Sequence, residues 1–218
     1  MRIRLDLHVH SRFSFDSAID PAGLLEVCKR RGLAGVAITD HDCLKGGLSF
    51  AGELPDLLII PGEEIRSREG EIIGLFLTEE IPPGLSAPQT MRLIHEQGGV
   101  VVIPHPFDYV KLTRMSWRRL GELADGIDAV EALNGKPRYW GANSRARTFA
   151  ERFALPSTAG SDAHKLEHVG LVYTEMEEFS GPGEFKAALR GATLYGKRHS
   201  PWASQLDRWK ARTRRAPL

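Results

Sequence analysis

Short apolar runs alternate with amphipathic segments along most of the chain. Seven runs rich in Val, Ile and Leu predict β-strands, and several are almost continuously apolar, as strands covered on both faces are. These runs are IRLDLHVH, GVAITDH, LLIIPGEE, EIIGLFL, GVVVIPHP, DAVEALN and PSTAGSDAH. Helices are predicted at PAGLLEVCKRRG, APQTMRLIHEQGG, MSWRRLGELAD, NSRARTFAERF and GPGEFKAALRG. Repeated alternation of strand and helix predicts a mostly parallel α/β sheet or barrel.

One interval lacks a helix. Only the polar piece RSREG separates PGEEI from EIIGLFL, which favours a tight reversal of the chain over a helical crossover. There is no internal repeat and no low-complexity linker. We therefore predict a single domain over residues 1–196, followed by a tail over residues 197–218.

Composition narrows the class of protein without identifying it. An apolar share of 42% in 218 residues is enough for one domain with a real core, and no apolar run of about 18 residues predicts a membrane span. The N-terminal segment lacks the apolar centre of a signal peptide, and two cysteines are too few for a disulfide scaffold. A cytoplasmic protein with no membrane partner is therefore expected.

The net charge of +1 hides an uneven distribution. The tail from Lys197 to Leu218 sums to +6, which leaves −5 for residues 1–196. A basic tail is compatible with binding to nucleic acid or an acidic partner, and equally with a solvated chain end. The tail alone decides nothing about function.

Polar residues cluster where the predicted strands end. In parallel α/β folds the loops at the carboxyl ends of the strands build the active site, so side chains from different strands meet at one rim. Five strands deliver histidine or carboxylate side chains there: His8, His10, Asp40, His41, Glu63, Glu64, His105, Asp162 and His164.

Imidazoles combined with carboxylates are the ligands of Zn²⁺, Mn²⁺ and Fe²⁺. His8 and His10 are two residues apart on a strand, so both side chains point to the same face. A carboxylate such as Glu64 is able to bridge two ions, and closely spaced ions generate a hydroxide and clamp a phosphoryl group. Each motif alone is more often structural; their conjunction predicts a metal centre.

The residues in DLHVHSRFSFDS, AITDHD, IPGEEI, IPHP and AGSDAH, in that order, resemble the PHP (polymerase and histidinol phosphatase) family of metal-dependent phosphoesterases. The resemblance covers roughly residues 2–196 and is greatest to the compact stand-alone members. It implies a distorted (β/α)7 TIM-like barrel, a single α/β domain with a two- or three-metal site on the carboxyl rim.

The resemblance also implies a set of ligands. The first metal would be held by His8, His10, Glu64 and Asp162. Asp16, His41 and His164 would hold the second. Glu64 would bridge to a third, with His105 as a further ligand. Of the adjacent pair, Glu64 matches the family position and Glu63 would point the other way.

One departure concerns the third metal. Many family members carry a histidine on the strand after the bridging Glu, and the matching stretch GEIIGLF has Ile72 at that place. Isoleucine cannot coordinate, so we expect two firm sites for Mn²⁺, Zn²⁺ or Fe²⁺. The third site is open: weak, empty, or completed by Glu131 or water.

Residues around the ligands have two readings each. Glu131 and Asn134 end a strand at the same rim and are candidates for orienting the ligands, or are ordinary strand-end polar residues. Four cations are candidates for binding the substrate phosphate, although each alone is more often a surface charge. They are Arg12, Arg66, Lys136 and Arg138.

The predicted function is hydrolysis of a phosphomonoester, nucleotide or short oligonucleotide by a metal-bridged hydroxide, so the expected partners are small phosphorylated compounds or short nucleic acid. His105 or His164 would assist proton transfer. Two alternatives stay open. One is an amidohydrolase-type C–N hydrolase, whose metals are usually bridged by a lysine; the other is a non-catalytic, metal-bound regulatory module.

Overall fold

The structure, a computed structural model, describes residues 1–108, 115–136 and 141–196. The strands in these residues are β1 (Arg2–Val9), β2 (Gly35–His41), β3 (Leu58–Arg66), β4 (Glu71–Leu75), β5 (Val100–Ile103), β6 (Ala129–Asn134), β7 (Ser157–Gly160), β8 (Val172–Glu177) and β9 (Thr193–Gly196). The α-helices are α1 (Pro21–Arg31), α2 (Lys45–Glu53), α3 (Ala87–Glu96), α4 (Trp117–Glu122), α5 (Ala142–Arg152) and α6 (Gly181–Leu189). The predicted tail lies outside the described residues.

The strands form one sheet in the order β7-β6-β5-β4-β3-β2-β1-β8-β9. β1, β2 and β3 are mutually parallel, as are β5, β6 and β7. β4 is antiparallel to both of its neighbours, β3 and β5, which agrees with the tight reversal predicted at RSREG. β8 and β9 are antiparallel additions beside β1.

Strands β1 to β7 curl into a nearly closed barrel. β1 divides its free side between two partners: its first half pairs with β8, and its last residue, Val9, forms a parallel bridge with Ala163 just after β7. Backbone hydrogen bonds close this seam, from His10 N to Ala163 O (2.9 Å) and from Asp162 N to His8 O (2.9 Å). The predicted mixed α/β barrel is confirmed.

All five predicted helices are present, and α1 shows why its sequence is helical. Asp20 caps its first turn by accepting a hydrogen bond from Gly23 N (3.0 Å), and Pro21 occupies the first helical position. Gly32 ends it with a left-handed φ of 63°, which glycine adopts without steric cost. Three elements were not predicted: α2, β8 and β9.

The barrel interior and the layer between sheet and helices are both apolar. Leu5 and Leu7 of β1 pack inside the barrel, whereas Val9 packs in the cluster beneath α1 and α2. This change of face follows a bulge in β1, where the register with β2 shifts between Asp6 and Val9. No helix among the described residues is sufficiently long and apolar to cross a membrane.

Candidate metal centre

The bulge in β1 aims His8 and His10 at the rim formed by the carboxyl ends of the parallel strands. The two imidazoles face each other, with 3.1 Å between their Nε2 atoms. The His10 nitrogen also faces two carboxylates: His10 Nε2 lies 3.6 Å from Glu64 Oε2 and 3.5 Å from Asp162 Oδ1. His8, His10 and Asp162 are all buried, and their ligand atoms lie within 4.8 Å of one another. These atoms surround one point, as ligands of a single ion do.

Glu131 fixes the orientation of His8. Its Oε1 lies 3.0 Å from His8 Nδ1, so the carboxylate accepts the proton of that nitrogen and leaves Nε2 to face the ligand cluster. Its Oε2 accepts hydrogen bonds from His105 N (2.8 Å) and Asn134 Nδ2 (2.9 Å). The sequence left Glu131 and Asn134 open between orienting the ligands and being ordinary strand-end residues. Glu131 also forms a set with His8 and His105 whose ligand atoms lie within 4.8 Å of one another.

A second group is built from His10, His41 and His164, whose ring nitrogens lie within 4.8 Å of one another. Asp16, on the loop after β1, reaches this group: its carboxylate oxygens lie 3.0 Å from His164 Nε2 and 3.7 Å from His41 Nε2. Burial alone would raise the pKa of Asp16, but its bonds to the two histidines hold it well below its ordinary value.

His41 has the complementary shift. Burial lowers its pKa, but hydrogen bonds and charges from Asp16 and Glu64 outweigh this effect and raise it to about 10. His41 Nδ1 lies 2.9 Å from Glu64 Oε2, so Glu64 links this group to the first one. The imidazole therefore sits in a strongly negative field that also attracts metal cations.

A third group consists of Glu64, Glu71 and His105. His105 Nε2 lies 2.9 Å from Glu64 Oε1 and 3.7 Å from Glu71 Oε2. Sequence reasoning placed Ile72 at this ligand position, and the structure corrects it: Ile72 is fully buried in the apolar core, and the preceding residue turns to the rim. The third group has a carboxylate where an apolar side chain was expected.

Glu63 lies on the opposite side of β3 from Glu64. Its Oε2 accepts a hydrogen bond from Ile81 N (3.0 Å), and burial raises its pKa to about 8. This carboxyl group ties the loop after β4 to the barrel wall and is not part of the ligand cluster.

A relay that sequence reasoning missed supports His10 from behind. His10 Nδ1 lies 3.2 Å from Ser14 Oγ, which donates to Asp40 Oδ1 (2.7 Å). Asp40 also accepts from Ser11 N and Ser11 Oγ, both at 2.6 Å. The position of Asp40 at a strand end was a signal for the rim, but nothing in the sequence distinguished a supporting carboxylate from a ligand.

Two residues of the cluster have left-handed backbones. His105 has φ 28° and Asp162 has φ 53°, in a region that non-glycine residues rarely adopt. Such conformations cost on the order of 1–3 kcal/mol each and persist where surrounding contacts over-determine them. Here the contacts are Glu131 on the backbone of His105 and His8 on that of Asp162.

The four candidate phosphate-binding cations have different positions. Lys136 reaches the cluster, with Nζ 3.2 Å from His164 Nδ1 and 3.4 Å from Asp162 Oδ1. Arg12 is paired with Glu53, and Arg66 is paired with Asp42, both with exposed guanidinium groups. Arg138 lies outside the described residues. Lys136 is thus the described candidate that the structure brings to the ligands.

The donors suit divalent transition metals. Imidazole nitrogens and carboxylate oxygens converge from six segments of the barrel, and the same carboxylates contact more than one group. Because His8 Nδ1 faces Glu131 and His10 Nδ1 faces Ser14, both Nε2 atoms, 3.1 Å apart, are left as acceptors that a shared cation would satisfy. The mixture of nitrogen and oxygen is that of Mn²⁺, Fe²⁺ or Zn²⁺ centres rather than of Ca²⁺ sites.

Family models match most of the chain. The PHP domain model matches residues 6–101, and the PHP-associated model matches residues 140–194. An uncharacterized protein of Methanocaldococcus jannaschii is 37% identical over 182 residues, which is 82% of this chain and 72% of that protein. An error-prone DNA polymerase of Mycobacterium tuberculosis is 45% identical over 139 residues, 62% of this chain and 10% of the polymerase.

Solved structures have the same fold. A two-domain protein of Bacteroides vulgatus, described as containing a predicted PHP-like metal-dependent phosphoesterase, superimposes with a TM-score of 0.74 at 19% identity, over 90% of this chain and 65% of that one. A lesion-specific endonuclease of Pyrococcus furiosus superimposes with a TM-score of 0.65 at 18% identity, over 89% of this chain and 58% of that one.

Proposed function

The chain belongs to the PHP domain family, and on that premise we propose that it is a metal-dependent phosphoesterase that hydrolyses a phosphomonoester, a nucleotide or the end of a short oligonucleotide. Among the described residues, side chains at the barrel rim form four overlapping sets that could hold a metal ion, the fourth being His8, His105 and Glu131. Glu64 joins them, because its two oxygens contact His10, His41 and His105 at once. This bridging carboxylate is the observation that carries the proposal.

Each group would hold one metal ion. His8, His10 and Asp162 would hold one ion, and Asp16, His41 and His164 a second. Glu64, Glu71 and His105 would hold a third. When bound, such ions lower the pKa of water to produce a nucleophile at neutral pH and neutralise the charge on the phosphoryl oxygens.

The chain's own residues would bind and orient the substrate. Lys136 Nζ lies at the edge of the cluster and is placed to contact a phosphate oxygen as a point charge. His164 and His105 were both predicted to move a proton. The His164 side chain is 12% exposed and that of His105 is 3% exposed, so His164 is the more accessible of the two to a leaving oxygen, although its Nδ1 already lies 2.9 Å from the backbone carbonyl of Asp162.

His105 would then act as a ligand and as a support for Glu64. Its Nε2 holds Glu64 Oε1 at 2.9 Å, and its backbone is fixed by Glu131. The names of two matched proteins, a DNA polymerase and a lesion-specific endonuclease, support including nucleotides and oligonucleotides among the substrates.

The test is hydrolysis by Mn²⁺-loaded protein of a panel of phosphomonoesters, nucleoside monophosphates and 5′-phosphorylated oligonucleotides. Wild type should release phosphate or nucleotide, and His8→Ala should lose at least about 100-fold, since loss of a ligand removes the metal chemistry. His95→Ala is the matched control, because His95 is half exposed and paired with Asp128 outside the cluster. It should retain wild-type rates.

Other results would overturn the proposal. Hydrolysis of amide or lactam substrates in place of phosphoesters would identify a C–N hydrolase. Fewer than two tightly bound ions per chain in elemental analysis, with no turnover, would identify a regulatory module. Circular dichroism of His8→Ala separates loss of metal chemistry from loss of the fold.

A further inference from the structure

An exposed aromatic ring stands beside the metal centre. Phe15 is 85% exposed, although burial of a phenylalanine side chain ordinarily stabilises a protein. Its ring is stacked on that of His41, with 5.3 Å between the ring centroids and 25° between the planes. One face of Phe15 thus covers a residue of the second ligand group, and the rest of the ring is open to solvent.

The loop after β1 holds this ring in place. Ser14, directly before Phe15, is buried and bonded to Asp40, and Asp16, directly after it, bonds to His164. Ser17 Oγ adds a hydrogen bond to His10 O (2.8 Å). Because both neighbours of Phe15 are fixed by the metal centre, the ring is positioned before any substrate arrives.

The ring and Lys136 contact different histidines of the second ligand group. Lys136 Nζ contacts His164, the His164 and His41 ring centroids are 5.9 Å apart, and Phe15 stacks on His41. A substrate whose phosphate contacts Lys136 and whose remainder extends past His41 would meet this flat apolar surface. Planar rings stack on aromatic side chains irrespective of base identity.

We propose that Phe15 is the base-stacking surface of this site, and that the substrate is a nucleotide, free or at the end of an oligonucleotide, rather than an aliphatic phosphate. This inference rests on the proposed function. Phe15 adds the substrate class, because a nucleotide carries a planar ring together with the phosphate that is hydrolysed.

The first test measures binding, so that it does not depend on turnover. The probes are the methylene phosphonate analogues of adenosine 5′-monophosphate and ribose 5-phosphate, which lack the ester bond and differ only in the base. Calorimetry with Mn²⁺-loaded protein gives the preference of each variant for the analogue with the base. Phe15→Ala should lower this preference about 5- to 150-fold, the equivalent of about 1–3 kcal/mol of stacking, and Phe15→Trp should retain it.

Tyr195→Ala is the matched control. Tyr195 is 41% exposed and stacked on Tyr173 at the same centroid distance of 5.3 Å, but it lies on β9, away from the rim. It should keep the wild-type preference. An unchanged preference in Phe15→Ala, or an equal fall in Tyr195→Ala, would overturn the inference.

Measuring hydrolysis by the same variants separates the phosphoesterase proposal from the base-stacking inference. It also distinguishes a free nucleotide from the end of an oligonucleotide as the substrate. If wild type hydrolyses phosphoesters but Phe15→Ala keeps the preference, the base-stacking inference fails and the phosphoesterase stands. If wild type hydrolyses nothing yet shows a Phe15-dependent preference, the phosphoesterase proposal fails and the base site stands. Comparing adenosine 5′-monophosphate with 5′-phosphorylated oligonucleotides, with and without a terminal abasic residue, distinguishes a free nucleotide from a strand end.

Discussion

Asp6 is expected to hold the barrel seam together, and its replacement tests how the centre is supported. This fully buried residue of β1 accepts hydrogen bonds from Ser161 N (2.8 Å) and Gly170 N (2.7 Å), on the segment after β7. That segment carries Asp162 and His164. We predict that Asp6→Ala destabilises the protein and also loosens the metal centre.

The magnitude follows from the two long-range bonds. Removing the carboxylate leaves two buried backbone N–H groups without this acceptor, at about 1–3 kcal/mol each, so Asp6→Ala should lower the free energy of unfolding by about 2–6 kcal/mol. The free energy of unfolding of a whole domain is about 5–15 kcal/mol, so this loss is a large fraction of the total stability. Burial raises the pKa of Asp6 to about 6 against its hydrogen bonds, so measurements at pH 8 keep the carboxylate charged.

Urea unfolding followed by circular dichroism is the assay, with elemental analysis of bound Mn²⁺ alongside. Asp56→Ala, at an exposed carboxylate, should change the free energy of unfolding by no more than about 0.5 kcal/mol. Asp6→Asn keeps one acceptor oxygen and should fall between wild type and Asp6→Ala. A loss below about 1 kcal/mol in Asp6→Ala, with metal content unchanged, would refute the reasoning.

Two further substitutions address the ligands directly. Glu71→Ala should lower the number of Mn²⁺ ions retained per chain after dialysis. Ile72→Val should lower the free energy of unfolding by about 0.5–1.5 kcal/mol and leave the metal content unchanged. The opposite result, with metal lost from Ile72→Val and retained by Glu71→Ala, would contradict the assignment of Glu71 as a ligand. Gly160→Ala should weaken Mn²⁺ binding at least about tenfold in calorimetry, because a Cβ there would overlap the Cβ of His8. Gly52→Ala is the control, because a Cβ there meets no other atom, and it should bind Mn²⁺ normally. Equal Mn²⁺ affinities in the two variants would contradict this account.

The residues of the centre were largely predictable because the rule for parallel strands holds for most of the barrel. It failed at Glu71 for a geometric reason. β4 runs against its neighbours, so its first residue, not its last, lies at the rim. The reversal was predicted from RSREG, but its consequence for the ligand position depends on the register opposite β3, where Glu71 pairs with Arg66.

Three elements were missed because tertiary contacts, not local sequence, determine them. α2 contains Gly46, Gly47 and Gly52, which are poor helix formers. Close packing explains one of them, since a Cβ on Gly47 would lie 2.8 Å from Pro61 Cα. β8 and β9 are half exposed and lie beyond the barrel, so they lack the continuous apolar runs that marked the other strands.

The seam between β1 and the segment after β7 also decides when the centre can form. The bond from Ser161 to Asp6 joins residues 155 positions apart, and closing a loop of that length costs on the order of 4–5 kcal/mol of chain entropy. We therefore expect His8 and His10 to meet Asp162 and His164 only after the intervening strands have paired. A cation that needs both halves of the set would be retained only by chains that have completed the barrel, and its binding energy would count as folding energy.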